Sequence, residues 1–419
     1  MAGETDHPQR EGAGSFVRGR VSIVLTNFHS LPWLAPCFAS LSRQTYSDVE
    51  VVFVDNHSLD GSVEFVRAHY PRTTIVENPR DEGFASGNNI GVRHAGGEYL
   101  ILLNTDTTVT ETFVEDLLRA FQEIPRLGCV QPKLLFLHDP RKLDSCGSLF
   151  TMTGFLQHVG NQQDERTPAY NTSFPVLSVK GACMMFKREL LEKTGGLFDD
   201  DYYCYFEETD FCMRVWLAGY ECWYYPRAVI HHAMGGSTGR HIRHSVTDYH
   251  SFKNRLATYL KNLSGGTLAR VLPTYVLLNV LASIAFVATF RVRNAAAVYR
   301  ALWYNVRRFP STLRKRSLVQ HRIRRVSDRA FLPRVTGRYA LRQILRYVVY
   351  LFTYEFLKYQ PGEVTSGVSS RRRVLLSVLR RLRGTRTGRD DQLSGRDVRE
   401  PVARAISRVQ AIGEERDRA

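Results

Sequence analysis

The chain has 419 residues, 43% of them hydrophobic, enough for a large core and two or three domains. Its formal net charge of +16 is uneven: Arg291 to Arg383 holds 23 Lys and Arg against 3 Asp and Glu, so this stretch carries +20 and the remainder −4. Basic character confined to one apolar, aromatic-rich stretch points to an anionic lipid surface and argues against a nucleic-acid-binding protein.

The polar, Gly-rich start predicts a disordered leader over residues 1–19. Val21 to Thr26 is a β-branched strand with polar Asn27 and His29 at its carboxyl end, and a helical pattern runs from Pro32 to Ser42. Glu50 to Asp55 is a second strand, followed by a helix from Val63 to His69 and a short third strand, Thr74 to Glu77, nearer an edge. The small and amide residues of Gly83 to Gly91 start another helix. Tyr99-Leu-Ile-Leu-Leu-Asn-Thr-Asp106 then reads as a strand buried on both faces that runs into a carboxylate, and a helix from Glu111 to Ile124 follows. Strands alternating with helices at this spacing indicate an α/β, doubly wound, mostly parallel sheet. Right-handed crossovers bring Asn27, Asp55 and Asp106 to one edge, where open α/β sheets bind ligands.

That edge suits a nucleotide. Asp55 can accept from a base N–H, Asn88 and Asn89 near a helix start can donate to a sugar or phosphate, and Asp106 can hold a divalent cation against a diphosphate. There is no GxGxxG and no GxxxxGK[ST], so neither the dinucleotide fingerprint nor the P-loop is present. The pattern loosens from Gly128 to Ser173, with a loop expected over Asn161 to Ser173. Leu177 to Phe186 reads as a strand interrupted at Gly181-Ala182, where glycine suggests close approach of backbone to a ligand. A short helix follows over Arg188 to Thr194. Glu207, Glu208 and Asp210 fall between aromatic residues at the start of the next helix. Three carboxylates exceed what helix capping needs, and clustered like charges raise at least one pKa, which suits a general base. His231 and His232 stand between a strand and a Gly-Gly-Ser loop. The seven cysteines, odd in number and without CxxC spacing, read as reduced core thiols.

Six stretches, in order, resemble glycosyltransferase family 2 with its GT-A fold, and within it the rhamnosyltransferase-like enzymes of bacterial surface-glycan assembly. They are Val21-Ser-Ile-Val-Leu-Thr-Asn27, Val54-Asp-Asn-His-Ser-Leu-Asp-Gly-Ser62, Gly83 to Gly91, Leu102-Leu-Asn-Thr-Asp106, Phe206-Glu-Glu-Thr-Asp-Phe-Cys-Met-Arg214 and His232-Ala-Met-Gly-Gly-Ser237. The resemblance covers about Val21 to Leu263. It implies that Asp55 and the segment of Thr26 and Asn27 hold the nucleotide base. It implies that Asn104-Thr105-Asp106 takes the family's DxD position, with Asp106 carrying most of the contact to Mg²⁺ or Mn²⁺ because Asn104 replaces the first carboxylate. His232 matches the histidine that completes metal or diphosphate binding, with His231 its neighbour. Glu208 aligns with the family's base, Glu207 and Asp210 remaining alternatives. The reaction implied is inverting transfer from a nucleotide-diphospho-sugar, dTDP-rhamnose or a UDP-sugar, to a hydroxyl of a lipid-linked glycan. A processive synthase would carry QxxRW and several spans, and neither is found. A non-catalytic sugar-nucleotide sensor would have no need of the acidic motif.

The catalytic domain is expected over residues 20–264, a basic helical membrane-associating region over 265–384 and a charged disordered tail over 385–419, with one helix near Val402 to Ile412. Val271 to Phe290 has no charged residue in 20 positions, long enough to span a bilayer, which needs ~20. Polar residues within it, and the Arg-rich segment a single span would carry across, favour an in-plane or re-entrant helix over a true span. Ala340 to Leu357 and a basic amphipathic helix over Arg371 to Arg383 complete a monotopic platform on the anionic cytoplasmic leaflet. An oligomerisation domain, and with it a homo-oligomer, is the alternative.

Overall fold

The computed structural model describes residues 16–233 and 244–337. Strand β1 (Val17–Asn27) is followed by α1 (Leu31–Leu41), β2 (Val49–Asp55), α2 (Ser62–His69), β3 (Thr74–Glu77), α3 (Gly83–His94) and β4 (Gly97–Asn104). Then come β5 (Thr107–Val109), α4 (Phe113–Glu123), β6 (Leu127–Phe136), β7 (Leu143–Ser145) and a small hairpin, β8 (Ser148–Leu149) with β9 (Gln157–His158). Strands β10 (Phe174–Pro175) and β11 (Cys183–Lys187), helices α5 (Leu190–Thr194) and α6 (Glu207–Leu217), and strand β12 (Glu221–His232) complete the sheet region.

The main sheet runs β10-β12-β6-β11-β4-β1-β2-β3, with β5 added to β12 and β7 to β6. The half β4-β1-β2-β3 is parallel, as the alternation of strands and helices requires. Strand β11 lies antiparallel between β4 and β6, and the parallel pair β6–β12 extends the sheet beyond it. This is a mixed, doubly wound α/β sheet, parallel through β4-β1-β2-β3 as expected. Helix α3 packs closely on the sheet because its glycines allow it: a Cβ at Gly87 would lie 2.6 Å from the Thr26 methyl.

Three expectations change. The chain enters β1 at Val17, inside the stretch assigned to a leader; residues 1–15 are outside the described part. Residues 177–182 are not strand, and β11 begins only at Cys183. Strand β6 is buried along its whole length although Gln131, Pro132 and Lys133 break its apolar pattern. Its polar side chains are satisfied from one side: Gln131 donates to Ser145 O (3.0 Å) and accepts from Lys180 N (2.6 Å), and Lys133 lies 3.6 Å from Glu165. All seven cysteines are buried free thiols.

Helices α7 (His244–Asn262), α8 (Gly265–Ala288), α9 (Val292–Arg307), α10 (Phe309–Leu318) and α11 (Asp328–Val335) follow. Helix α8 is long and apolar enough, by length and composition, to cross a membrane. One stripe of it, including Val271, Tyr275, Asn279 and Phe286, is buried against the protein, while Leu277, Leu281, Ile284 and Val287 face outward. The outward face continues through Phe290 (83% exposed), Val292, Tyr299 and Trp303 (66%). The segment after α10 returns to the catalytic sheet. Phe331 stacks on Trp216 at 5.6 Å, Arg334 makes a two-pronged ion pair with Glu221 (2.6 and 2.9 Å), and Gly337 N donates to Phe150 O (2.8 Å). The basic stretches 340–357 and 371–383 and the tail lie outside the described residues.

Candidate active site

The register sets the carboxyl edge in line. Asn27 pairs with Asp55 across β1–β2, Thr26 pairs with Asn104 across β1–β4, and Asn104 N donates to Ala182 O (3.0 Å). Asp55 is buried and accepts from Asn27 Nδ2 (2.7 Å) and Ser58 N (2.7 Å), so its carboxylate is held at the end of β2. Beside it, Thr26 Oγ1 and Asn27 Oδ1 are buried polar atoms with no hydrogen-bond partner. Native interiors rarely leave such atoms unpaired, and two together at a sheet edge mark a place for a polar ligand. Asn88 turns its amide back to Phe84 O within α3 (2.8 Å). Asn89 is not brought to the edge: it donates to Phe198 O (3.0 Å) and Asp200 (2.8 Å) and accepts from Phe198 N (3.0 Å), fastening α3 to the loop before α6.

Asp106 sits in the turn after β4, with Thr105 buried beside it. Ala233 N donates to Asp106 O (2.9 Å), which ties the end of β12 to this turn. His232 Nε2 lies 3.3 Å from Asp106 Oδ1, and its Nδ1 lies 2.8 Å from Asp144 Oδ2. Strand alternation sends His231 to the opposite face, where burial lowers its pKa. For His232, burial disfavours the charged ring, but Asp106 and Asp144 outweigh it and the pKa is raised. Asp144 also takes the Lys180 ammonium on both oxygens (2.5 and 2.7 Å). Its pKa is lowered to about 2: burial opposes the charge, and His232 and Lys180 overcome that.

Sequence reasoning missed Asp144 and Lys180. Lys180 carried a faint signal, a charge directly before the flagged Gly181. Asp144, one acid in a loosely patterned stretch, carried none. Among the described residues no group of three or more His, Cys, Asp or Glu could hold a metal. Asp106 and His232 supply one carboxylate oxygen and one imidazole nitrogen. That fits a cation completed by diphosphate oxygens and water rather than a closed protein cage.

The three acids of α6 have separate environments. Tyr205 and Phe206 both take positive φ (68° and 74°), which sets the abrupt start of the helix at roughly 1–3 kcal/mol of strain each. Asp210 is fully buried and does not reach the site: it pairs with Arg214 (3.0 Å) and Lys261 (3.0 Å) and accepts from Asn262 (2.8 Å). Glu207 is buried with Oε2 unpartnered, and burial with the neighbouring Glu208 raises its pKa well above the carboxylate range. Glu208 alone keeps part of its side chain open, next to Gly181, where a Cβ would lie 4.0 Å from its Cγ. Enclosure by the surrounding protein lifts its pKa to about 7.

The sequence profile described as Glycosyl transferase family 2 matches residues 22–195. The chain carries a glycosyl transferase family 2 domain. The edge residues from Thr26 to Ala182 fall inside that match, whereas α6 and His232 lie beyond it. The glycosyl transferase domain is similar to the N-acetylglucosaminyl-diphospho-decaprenol L-rhamnosyltransferase of Mycobacterium tuberculosis (strain ATCC 25618 / H37Rv). They are 25% identical over 255 residues, covering 54% of this chain and 80% of that enzyme. An uncharacterized protein, y4gI, of Sinorhizobium fredii is 25% identical over 52% of this chain, which spans only 25% of that protein's length. Among solved structures, the mannosyltransferase PcManGT from Pyrobaculum calidifontis, in complex with GDP-Man and Mn²⁺, matches with a TM-score of 0.44 and 18% identity. That match covers 82% of this chain and 89% of that one. The glycosyl transferase assignment rests on the sequence match.

Proposed function

We propose that the chain is a non-processive, inverting glycosyltransferase acting at the cytoplasmic membrane face. It moves a sugar from a nucleotide-diphospho-sugar, dTDP-rhamnose or a UDP-sugar, to a hydroxyl of a lipid-linked glycan. The observation that carries the reading is the Lys180-Gly181 segment. On one side Lys180 meets Asp144, which holds His232 against Asp106; on the other Gly181 adjoins Glu208, an acid with a pKa near neutrality. This arrangement supports a donor and a base on two sides of one short backbone stretch.

In this reading Asp55, Thr26 and Asn27 receive the base and sugar of the donor, and Thr105, Asn104 and Ala182 line its diphosphate. Glu208 removes the acceptor hydroxyl proton as that oxygen attacks the anomeric carbon and the bond to the diphosphate breaks. Mg²⁺ or Mn²⁺ held by Asp106 and His232 would offset charge on the departing diphosphate. Imidazole in the donor set favours Mn²⁺. Asp144, accepting from Nδ1–H, leaves Nε2 free to face the cation. The mycobacterial relative is named for an N-acetylglucosaminyl-diphospho-decaprenol acceptor, which supports a lipid-linked acceptor here.

The outward apolar face of α8 and α9 supports peripheral membrane seating. Helix α8 is packed along one side on the protein, so its Leu-rich side enters the interface with the helix in plane. The deciding experiment is transfer from a panel of sugar nucleotides to membrane extract. Glu208→Gln should abolish transfer while donor binding persists, and Asp106→Ala should remove the response to Mn²⁺. Wild-type turnover in either variant sinks the corresponding role.

A further inference from the structure

An open cavity of about 410 Å³ lies between α7 and α9, apart from the sheet edge. Arg293 and Arg300 line it, seven residues apart on α9 and therefore on one helix face. Neither guanidinium meets a carboxylate among the described residues. Arg300 lies over the Tyr249 ring at 5.2 Å, and the nearby Asp248 accepts from Asn294 (2.6 Å). Ser245 adds a hydroxyl, and the His250 ring, kept neutral by burial with its pKa lowered to about 4, forms part of the wall. This is a donor set for an anion with several oxygens. The surroundings are apolar and exposed: Val246 in the wall, Val292, Tyr299 and Trp303 on α9. A free anion has no use for that rim, and a nucleic acid would need a longer basic track.

The cavity wall also reaches the catalytic loop. The His250 ring lies 5.0 Å from that of Tyr203, whose hydroxyl donates to Asp81 ahead of α3. One turn along α7, Asn254 donates to Cys204 O (3.0 Å) and Tyr205 O (2.7 Å), just before Glu207 and Glu208. An amphipathic ligand with its charged end in this cavity would lie along the same helix that frames the base.

We propose that this cavity binds the phosphate or diphosphate end of a membrane lipid, its chain lying over Val292, Tyr299 and Trp303. That this lipid is the acceptor's carrier rests on the transferase reading; the lipid-phosphate site itself does not.

The test uses the full chain in mild detergent, titrated calorimetrically with farnesyl diphosphate and with inorganic pyrophosphate. A second arm measures sedimentation with vesicles of phosphatidylcholine, with and without phosphatidylglycerol. Arg293→Gln/Arg300→Gln is compared with Arg314→Gln/Arg322→Gln, which removes equal charge elsewhere on the helices. At roughly fivefold per basic residue at a lipid surface, the first pair should weaken binding at least tenfold and the second about twofold or less. A selective loss with farnesyl diphosphate supports a carrier-type lipid. A selective loss confined to phosphatidylglycerol vesicles supports the site with bilayer phospholipid as its occupant. Equal effects of the two pairs, no effect of either, or pyrophosphate binding as tightly as farnesyl diphosphate would overturn the proposal. No donor or turnover enters these measurements, so their failure leaves the Glu208→Gln test of the transferase untouched, and the reverse.

Discussion

Asp144→Asn is the sharpest probe of the site because it keeps the shape of the side chain and removes one charge. The carboxylate is almost fully buried and receives His232 Nδ1 at 2.8 Å and Lys180 Nζ at 2.5 and 2.7 Å. Its pKa falls from 3.8 to about 2 on folding. By linkage that corresponds to about 2 kcal/mol of stability at neutral pH. A depressed carboxylate stabilises above its unfolded pKa and loses that contribution as pH falls through the folded value. The gap between wild type and variant in urea unfolding should therefore be full above roughly pH 5, about half gone near pH 3, and absent below about pH 2. The second magnitude concerns the cation. Losing the partner that orients a ligating histidine costs typically about 10–100-fold in metal affinity. Mn²⁺ binding, followed by electron paramagnetic resonance with a nucleoside diphosphate present, should weaken by that factor. A variant with unchanged Mn²⁺ affinity and a stability gap constant from pH 7 to pH 3 would refute the reasoning.

With Glu208 as the base, kcat/KM should rise through about pH 7 and fall roughly tenfold per unit below it; a flat profile from pH 5.5 to 8 removes it from that role. Asp210→Asn leaves Arg214 and Lys261 buried without their counter-charge and should cost about 3 kcal/mol, lowering Tm by several degrees while the folded fraction still binds donor. Leu281→Glu with Ile284→Glu should cut vesicle binding by about tenfold or more without changing Tm, since both side chains are exposed. Equal vesicle binding would move the membrane face elsewhere.

The parallel half of the sheet was legible because three of its four strands carry a run of apolar residues ended by a polar one, at Asn27, Asp55 and Asn104. Chemistry and topology coincide there. The other half was not. Strand β6 hides behind Gln131 and Lys133, whose partners lie up to 49 residues away in sequence. Periodicity reports which face is apolar, not which polar groups find partners. The acids of α6 show the same boundary. Their spacing announced a cluster, but only the fold separates Asp210, neutralised by Arg214 and Lys261, from Glu208, which has no such partner and stays partly open. Asn89 looked like a ligand group and serves as a clamp on the loop at Phe198.

The return of α11 to the sheet changes the order in which the enzyme can be assembled. Trp216 belongs to the helix that begins with Glu207 and Glu208, and the ring that covers it, Phe331, is synthesised 115 residues later. Arg325 N, which caps that helix at Leu217 O (2.6 Å), comes equally late. A nascent chain halted after Asn262 would hold the whole main sheet and still expose one side of the helix that carries Glu207 and Glu208. Full packing of that helix should therefore arrive only once residues near 337 have emerged, by which time the long apolar helix α8 has already left the tunnel.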